Sequence, residues 1–295
     1  MAHNIFKGLG IALITPFLED GSVDYKSLIR LVEYQLNSGA DFFCILATTG
    51  ETPTLTAEEK QKIKDLIVDL VGGRVPILVG CGGNNTAAIV NELQTGDFRG
   101  VDGILSVCPY YNKPSQEGLY QHFKAIAAAT QLPVVLYNVP GRTGVNMTAA
   151  TSVRLAYDCP NIVAIKEASG NLEQVDEIIK NSPRGFEVLS GDDSLTFPMV
   201  SCGAVGAISV IGNALPREFP KMIRLQMRGE YDGARKIHHR FQDLFSLLFV
   251  DGNPAGVKCM LSEMGYIQNI LRLPLVPTRI STLQRMSEIM KELKI

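Results

Sequence analysis

Lys166 ends a run of apolar residues, Ile162 to Ile165, in the segment NIVAIKEASG. Four successive apolar residues predict a strand that is buried on both faces and that delivers the lysine to the mouth of a loop. An amine held among apolar neighbours loses hydration, which favours its neutral form, a nucleophile toward carbonyl carbon. A lysine at a strand end, taken alone, fits a cation that reaches into water or pairs with Glu167. Its neighbours in the folded chain must decide between the two interpretations.

Other polar side chains follow the other apolar runs. They are Thr48, Thr49 and Glu51 after the second run, Tyr110 and Tyr111 after the fourth, Tyr137 and Arg142 after the fifth, and Gly191, Asp192 and Asp193 after the seventh. Threonine hydroxyls can donate to a carboxylate, a tyrosine can transfer a proton beside an imine, and an arginine can hold a second carboxylate at two points. Each residue alone also fits a polar loop, a packed aromatic pair or a tight turn. Together they predict carbonyl chemistry on an anionic substrate.

The apolar runs alternate with helical patterns along most of the chain. Taken together with the loop residues that follow several of them, the runs cover residues 11–17, 42–50, 75–80, 102–109, 132–140, 161–169, 186–191 and 206–212. Thr56 and Glu59 form a capping-box pattern, and Gly39 closes the first helical pattern. Eight such units predict an α/β fold of one (β/α)8 TIM barrel, with a doubly wound open sheet as the alternative. In a barrel the carboxyl ends of all strands meet on one face, where we expect the polar residues to converge.

The last part of the chain carries helical patterns without further strand signals. These patterns cover residues 233–249, 256–264 and 282–293. We therefore predict a barrel over residues 1–230 that carries the active site, and a C-terminal helical extension over 231–295 that packs on it. We expect these additional helices to serve packing on the barrel or contact between subunits.

Composition and short motifs indicate which classes of partner and cofactor the protein is expected to bind. The 295 residues have a net charge of -2 and are 46% hydrophobic, which disfavours nucleic acid and favours a small-molecule substrate. No apolar run reaches the ~18 residues of a membrane span, and MAHNIFKGLG lacks a signal-peptide core, so we expect a cytoplasmic protein. Six cysteines without a C-x-x-C pair and four histidines without ligand spacing predict no metal. Neither G-x-G-x-x-G nor G-K-[ST] occurs, so no cofactor is expected.

Four segments resemble the pyruvate-dependent class I aldolases and lyases of the dihydrodipicolinate synthase and N-acetylneuraminate lyase family. They are TTGE (48–51), CPYYNKPSQEGLYQHF (108–123), LYNVPGRTG (136–144) and IKEASGN (165–171), and the resemblance covers nearly the whole chain. Lyases acting on sialic acid lack an arginine at Arg142 and usually carry Ser-Thr in place of Thr48-Thr49. The resemblance therefore implies the branch that condenses pyruvate with L-aspartate 4-semialdehyde for lysine and diaminopimelate synthesis.

The resemblance also implies a role for each site residue. Catalytic roles fall to Lys166 as the Schiff-base lysine, Tyr137 in proton transfer, Thr48 as the link from Tyr137 to Tyr111, and Tyr111 as a residue that reaches a neighbouring subunit. Substrate-binding roles fall to Thr49 for the pyruvate carboxylate, Arg142 for the carboxylate of the semialdehyde, and Gly191 and Ile208 for backbone contacts beside the imine. A homotetramer built from two tight dimers is the expected assembly.

The sequence departs from the family pattern at two sites. Ala47 replaces the usual glycine before the two threonines, which restricts the backbone slightly and leaves both hydroxyls in place. Lys60 and Ala88 replace a histidine and a glutamate of the lysine-feedback site, although Asn84 and Tyr110 remain. We therefore expect weak or no inhibition by lysine.

Two alternatives to this function remain open from the sequence. One is another aldolase of the same family that cleaves sialic acid or a 2-keto-3-deoxy sugar acid. The other is a non-catalytic pyruvate sensor that has kept the barrel. Substrate comparison separates the first from the main prediction, and trapping of a pyruvate adduct separates the second.

Overall fold

A computed structural model describes residues 5–295, so the first four residues of the segment used for the leader prediction lie outside the described part. Eight strands form a closed parallel barrel in chain order, with β8 paired to β1. They are β1 Gly8–Ala12, β2 Phe42–Ile45, β3 Ile77–Gly80, β4 Gly103–Val107, β5 Val134–Asn138, β6 Ile162–Glu167, β7 Glu187–Ser190 and β8 Gly206–Ser209. The predicted (β/α)8 barrel is confirmed, and the open-sheet alternative is wrong.

Twelve helices surround the barrel or extend it in the described chain. They are α1 Tyr25–Ser38, α2 Ala57–Val71, α3 Thr86–Thr95, α4 Gln116–Ala128, α5 Pro140–Thr143, α6 Ala149–Asp158, α7 Leu172–Asn181, α8 Thr196–Ser201, α9 Glu218–Met227, α10 Tyr231–Leu247, α11 Ala255–Glu263 and α12 Ile280–Leu293. Both predicted helix ends are present: Thr56 and Glu59 form the capping box of α2, and Gly39 ends α1 with a φ of 109°.

The first strand lies earlier in the chain than predicted. The prediction began at Ile11, whereas β1 runs from Gly8 to Ala12. Glycine is uncommon in strands, so Gly8 and Gly10 concealed the start. Gly10 is needed because a Cβ there would lie 2.2 Å from the Phe42 ring. Beyond Ala12 the chain leaves the barrel, and the backbone N–H of Ile14 donates to Asn213 Oδ1 at 3.2 Å.

Two apolar layers build the core. Strand side chains fill the barrel, including Phe42, Cys44, Leu78, Leu105, Val135, Leu189 and Ile208. A larger cluster joins the outer faces of the strands to the helices, and it includes Phe241 and Phe245 of α10 and Met286 of α12. The C-terminal helices thus share one core with the barrel helices. The division at residue 230 falls between α9 and α10 and stays a prediction about domain organisation.

Candidate active site

A cavity of about 300 Å³ opens at the carboxyl ends of the strands. Its lining includes Thr48, Thr49, Tyr137, Arg142, Lys166, Gly191 and Asn253. A neighbouring cavity of about 380 Å³ shares Thr48, Tyr137 and Arg142 with it and adds Lys60 and Tyr110. Six of the predicted site residues therefore line one cavity, as expected for residues at the carboxyl ends of barrel strands.

Lys166 projects into the barrel mouth, and Tyr137 is its partner. The two residues are paired across β5 and β6, and Lys166 Nζ lies 4.3 Å from the centroid of the Tyr137 ring. Lys166 is only 5% exposed, and within residues 5–295 it forms no ion pair. The alternative of a cation extending into water does not fit this burial. The amine instead faces a cavity that can admit a small substrate.

Glu167 is not the partner of Lys166, because adjacent strand residues point to opposite faces. Its buried carboxylate accepts from Asn138 Nδ2 at 3.0 Å, from Gln174 Nε2 at 3.1 Å and from the backbone N–H of Ser169 at 2.6 Å. Asn138 Oδ1 in turn accepts from the backbone N–H of Met147 at 3.0 Å. This network fixes both ends of the loop that carries Arg142. Sequence reasoning missed it because its members lie far apart in the chain.

Gly191 allows the chain to pass close to Lys166. A Cβ at this position would lie 3.1 Å from Lys166 Cε and 2.7 Å from the Cβ of Ala168. The backbone N–H of Gly191 donates to the carbonyl of Glu167 at 2.8 Å, which holds the β7 end against β6. Any side chain at Gly191 would therefore clash with Ala168 and crowd the Lys166 side chain.

The two threonines lie in a short 3₁₀ turn, Thr48–Gly50, after β2. Thr49 is buried, Thr48 is half-buried, and both line the cavity. Asn253 Nδ2 donates to Thr49 Oγ1 at 3.0 Å. The turn ends at Glu51 with a φ of 53°, a left-handed conformation that costs free energy for a non-glycine residue and needs support from its surroundings.

Glu51 receives that support from the C-terminal part of the chain. Its carboxylate pairs with Lys258 Nζ of α11, both side chains are fully buried, and the backbone N–H of Arg272 donates to Glu51 Oε2 at 3.0 Å. Burial lowers the pKa of Lys258 to about 8, and the Glu51 carboxylate opposes this shift. Nothing in the local sequence pattern indicates this pair, which spans more than 200 positions.

Arg142 lies on α5, the helical turn that begins at Pro140. It is exposed and lines both cavities, and no ion pair within residues 5–295 engages its guanidinium. A free guanidinium at the mouth of a cavity suits recognition of a substrate carboxylate.

Two predicted site residues lie away from the cavity in the single chain. Tyr111 is 89% exposed, has a φ of 73° and lines neither cavity, so the chain alone does not bring it to Thr48. Ile208 is buried inside the barrel and does not line the cavity wall. It packs in the same interior cluster as Tyr137.

Titratable groups near the site do not offer a metal centre or a second nucleophile. Burial raises the pKa of the Cys44 thiol to about 11, with the Lys166 ammonium opposing the shift, so this thiol stays protonated at neutral pH. Asp193 accepts from the backbone N–H groups of Val210 and Ile211 at 3.1 and 2.7 Å. Residues 5–295 contain no group of three His, Cys, Asp or Glu side chains that could hold a metal ion.

Comparisons with known proteins agree over almost the whole chain. The model of the dihydrodipicolinate synthetase family matches residues 5–293. The 4-hydroxy-tetrahydrodipicolinate synthase of Phocaeicola vulgatus is 65% identical over 295 residues, which are 100% of this chain and 99% of that protein. The crystal structure of dihydrodipicolinate synthase from Thermotoga maritima aligns with a TM-score of 0.96 at 40% identity and 99% coverage of each chain. A protein described as the first monomeric dihydrodipicolinate synthase variant aligns with a TM-score of 0.95 at 40% identity, covering 98% of this chain and 97% of that one.

Proposed function

The chain belongs to the dihydrodipicolinate synthetase family, and we infer from this membership that it condenses pyruvate with L-aspartate 4-semialdehyde. The product is 4-hydroxy-tetrahydrodipicolinate, an intermediate of lysine and diaminopimelate biosynthesis, and the reaction is that of a Schiff-base lyase. The observation that carries this conclusion is the position of Lys166, which is buried beside Tyr137 at a cavity lined by hydroxyls and an arginine.

The first step is formation of an imine between Lys166 and pyruvate. Lys166 Nζ attacks the keto carbon of pyruvate, and the keto oxygen leaves as water after two protons have reached it. The Tyr137 hydroxyl transfers protons to and from this oxygen, which is the role of a general acid and base. Loss of a proton from the former methyl group of pyruvate then gives an enamine that stays attached to Lys166.

The second step forms the carbon–carbon bond and releases the enzyme. The enamine carbon attacks the aldehyde carbon of the semialdehyde, whose oxygen takes up a proton. The amino group of the semialdehyde then attacks the imine carbon and closes the ring. The bond from that carbon to Lys166 Nζ breaks, and the lysine returns as a free amine. In this scheme Arg142 holds the carboxylate of the semialdehyde by two parallel hydrogen bonds.

The remaining site residues hold the pyruvate part. We assign the pyruvate carboxylate to Thr49, supported by the burial of this hydroxyl at the cavity wall. Thr48 passes protons between Tyr137 and Tyr111, and Gly191 and Ile208 provide backbone contacts beside the imine. This assignment of Tyr111 requires a second copy of the chain, since Tyr111 is exposed in one copy.

We further propose that the protein works in the cytoplasm as a homotetramer, a dimer of dimers, without metal or cofactor. No helix in residues 5–295 is both long and apolar enough to cross a membrane. The exposed Tyr111 supports an assembly in which this side chain completes the site of a partner.

Turnover by the purified chain tests the proposed reaction. We expect condensation of pyruvate with L-aspartate 4-semialdehyde at a kcat/KM in the ordinary enzyme range, on the order of 10⁴ M⁻¹s⁻¹ or above. Cleavage of N-acetylneuraminate and of 2-keto-3-deoxy sugar acids is measured in parallel. A higher kcat/KM for either cleavage reaction than for the condensation would overturn the proposal.

A further inference from the structure

The link between α10 and α11 reaches the threonine turn from more than 200 positions away. Asn253, which precedes α11, donates from Nδ2 to Thr49 Oγ1 at 3.0 Å. Both residues are buried, with 6% exposure for Asn253 and 3% for Thr49, and both line the cavity that contains Lys166. A hydrogen bond at this place is shielded from water, which makes its geometry well defined.

The direction of this hydrogen bond determines what Thr49 can do. A threonine hydroxyl has one proton and two acceptor lone pairs. With the Asn253 amide oriented so that Nδ2 donates to this oxygen, the proton of Thr49 is left for another acceptor. No acceptor within residues 5–295 receives it, and the open side of Thr49 is the cavity. The hydroxyl is thereby set to donate to a carboxylate in the cavity.

The buried pair of Glu51 and Lys258 holds the same turn two residues later. Lys258 Nζ contacts the Glu51 carboxylate and also donates to the carbonyl of Ile270 at 2.9 Å. The backbone N–H of Arg272 donates to Glu51 Oε2. The turn is therefore held at Thr49 and at Glu51 by residues that lie C-terminal to the barrel strands.

We propose that Asn253 is a positioning residue that orients the Thr49 hydroxyl toward the pyruvate carboxylate, with the Glu51–Lys258 pair holding the turn in place. This inference rests on the proposed function, in which Thr49 binds that carboxylate. It gives the segment that follows α10 a part in pyruvate recognition that acts through Thr49.

The test measures pyruvate binding alone, through borohydride trapping of the Lys166 imine at increasing pyruvate concentration. Asn253→Ala should raise the half-saturating pyruvate concentration about five- to tenfold, the loss expected for one hydrogen bond. The maximal adduct at saturating pyruvate should stay as in wild type, which also shows that the variant is folded. Loss of structure would instead lower the maximal adduct without shifting the half-saturating concentration.

A second variant reverses the polarity of the contact. Asn253→Asp has nearly the same size, but its carboxylate accepts the Thr49 proton and adds a negative charge beside the substrate carboxylate. We expect a larger rise in the half-saturating concentration than for Asn253→Ala. Asn269→Ala, which changes a half-buried asparagine that does not line the cavity, is the matched control and should stay within about twofold of wild type.

A double variant decides whether Asn253 acts through Thr49. Thr49→Val removes the hydroxyl at constant shape, so adding Asn253→Ala to it should cause no further loss of pyruvate affinity. Additive losses, or an unchanged half-saturating concentration in Asn253→Ala, would overturn the inference. Absence of an adduct in wild type would instead reject the proposed function, so the two failures are distinguishable.

Discussion

The side chains at the cavity differ in how firmly the chain holds them. Lys166 and Tyr137 are buried on neighbouring strands and contact each other, whereas Arg142 is exposed on the short helix α5. A buried pair keeps one geometry before substrate arrives, which suits the covalent step. An exposed guanidinium can change its conformation to bind the second substrate and to release the product. We therefore expect substitutions at the two kinds of position to affect different substrates.

Arg142→Ala should impair use of the semialdehyde and leave pyruvate binding intact. The loss of a charge-assisted, two-point hydrogen bond predicts a fall of about 10- to 100-fold in kcat/KM for the semialdehyde. Trapping of pyruvate on Lys166 should be unchanged. Arg142→Lys keeps the charge but loses the two-point grip, so it should recover only part of the activity. Intact semialdehyde turnover in Arg142→Ala would exclude this role.

Two buried titratable side chains should shape the pH dependence of stability in opposite directions. Desolvation lowers the pKa of His122 from 6.5 to about 4, so the folded state binds fewer protons than the unfolded state between these values. Stability from this residue is present above pH 6.5 and is lost as the pH falls toward 4. Burial raises the pKa of Asp193 from 3.8 to about 6, so its contribution is instead lost as the pH rises through that range.

His122→Asn should make the protein less sensitive to acid. An asparagine can keep the contact that His122 Nδ1 makes with Thr86 Oγ1 at 2.8 Å, but it does not titrate. Between about pH 7.5 and about pH 5, the free energy of unfolding should fall by about 2 kcal/mol less in this variant than in wild type. Denaturant unfolding at each pH measures the difference. Asp193→Asn should change the pH dependence of the free energy of unfolding in the opposite sense. An equal pH dependence in wild type and both variants would contradict the pKa shifts assigned to His122 and Asp193.

At the scale of elements, the loop after β5 is held by the last residue of β6. Glu167 accepts hydrogen bonds from Asn138 and from Gln174 of α7, which joins three elements around the segment that carries Arg142. The carboxylate faces only donors, and its loss would remove the acceptor of the Ser169 N–H. It would also remove one acceptor each from Asn138 Nδ2 and Gln174 Nε2, which donate to Asn146 Oδ1 as well, at 2.7 and 3.3 Å. Order in the Arg142 loop therefore depends on an acidic residue that takes no part in the chemistry.

Glu167→Gln should destabilise the protein, because an amide NH₂ would then face the donors of Asn138 and Gln174. We expect a loss of about 1–3 kcal/mol in the free energy of unfolding, measured by chemical denaturation. The matched control is Glu177→Gln, at an exposed position of α7, the helix that carries Gln174. Its free energy of unfolding should stay within about 0.5 kcal/mol of wild type. Equal free energies of unfolding for the two variants would mean that the hydrogen bonds to Glu167 do not stabilise the fold.

The sequence predicted those elements whose signal is local. Strands buried on both faces read as apolar runs, so β6 was expected over 161–169 and is found from Ile162 to Glu167. Gly8 and Gly10 hid the start of β1, because the close packing that requires glycine leaves no hydrophobic signal. The contacts of Thr49 with Asn253 and of Glu51 with Lys258 join residues more than 200 positions apart, and no local pattern encodes such pairs.

At the scale of the whole molecule, the single chain presents Tyr111 outside its own cavity. This side chain is 89% exposed, so its removal should not disturb the fold of one copy. If it completes the site of a partner, Tyr111→Phe should lower kcat at unchanged stability. Interface variants that force monomers should also lose most activity while keeping their fold, as checked by sedimentation and unfolding. Full activity of a monomer would contradict the shared site.

Regulation by lysine should be weak or absent. The cavity next to the active site is lined by Lys60 and Tyr110, and Ala88 is exposed on α3 without a carboxylate. A cation at Lys60 repels the ammonium groups of an amino acid. We expect no sub-millimolar inhibition by L-lysine in a turnover assay. The double variant Lys60→His, Ala88→Glu should lower the L-lysine concentration for half-maximal inhibition about tenfold. This is the effect expected of one favourable charge contact.

Trapping of the imine on Lys166 tests the central claim most directly. The intact chain is reduced with borohydride in the presence of pyruvate, digested and mapped by mass spectrometry. We predict one stable reduced-pyruvyl adduct, located on Lys166, that requires pyruvate and is absent from Lys166→Ala. No adduct, or an adduct on another lysine, would contradict the assignment of Lys166 as the Schiff-base residue.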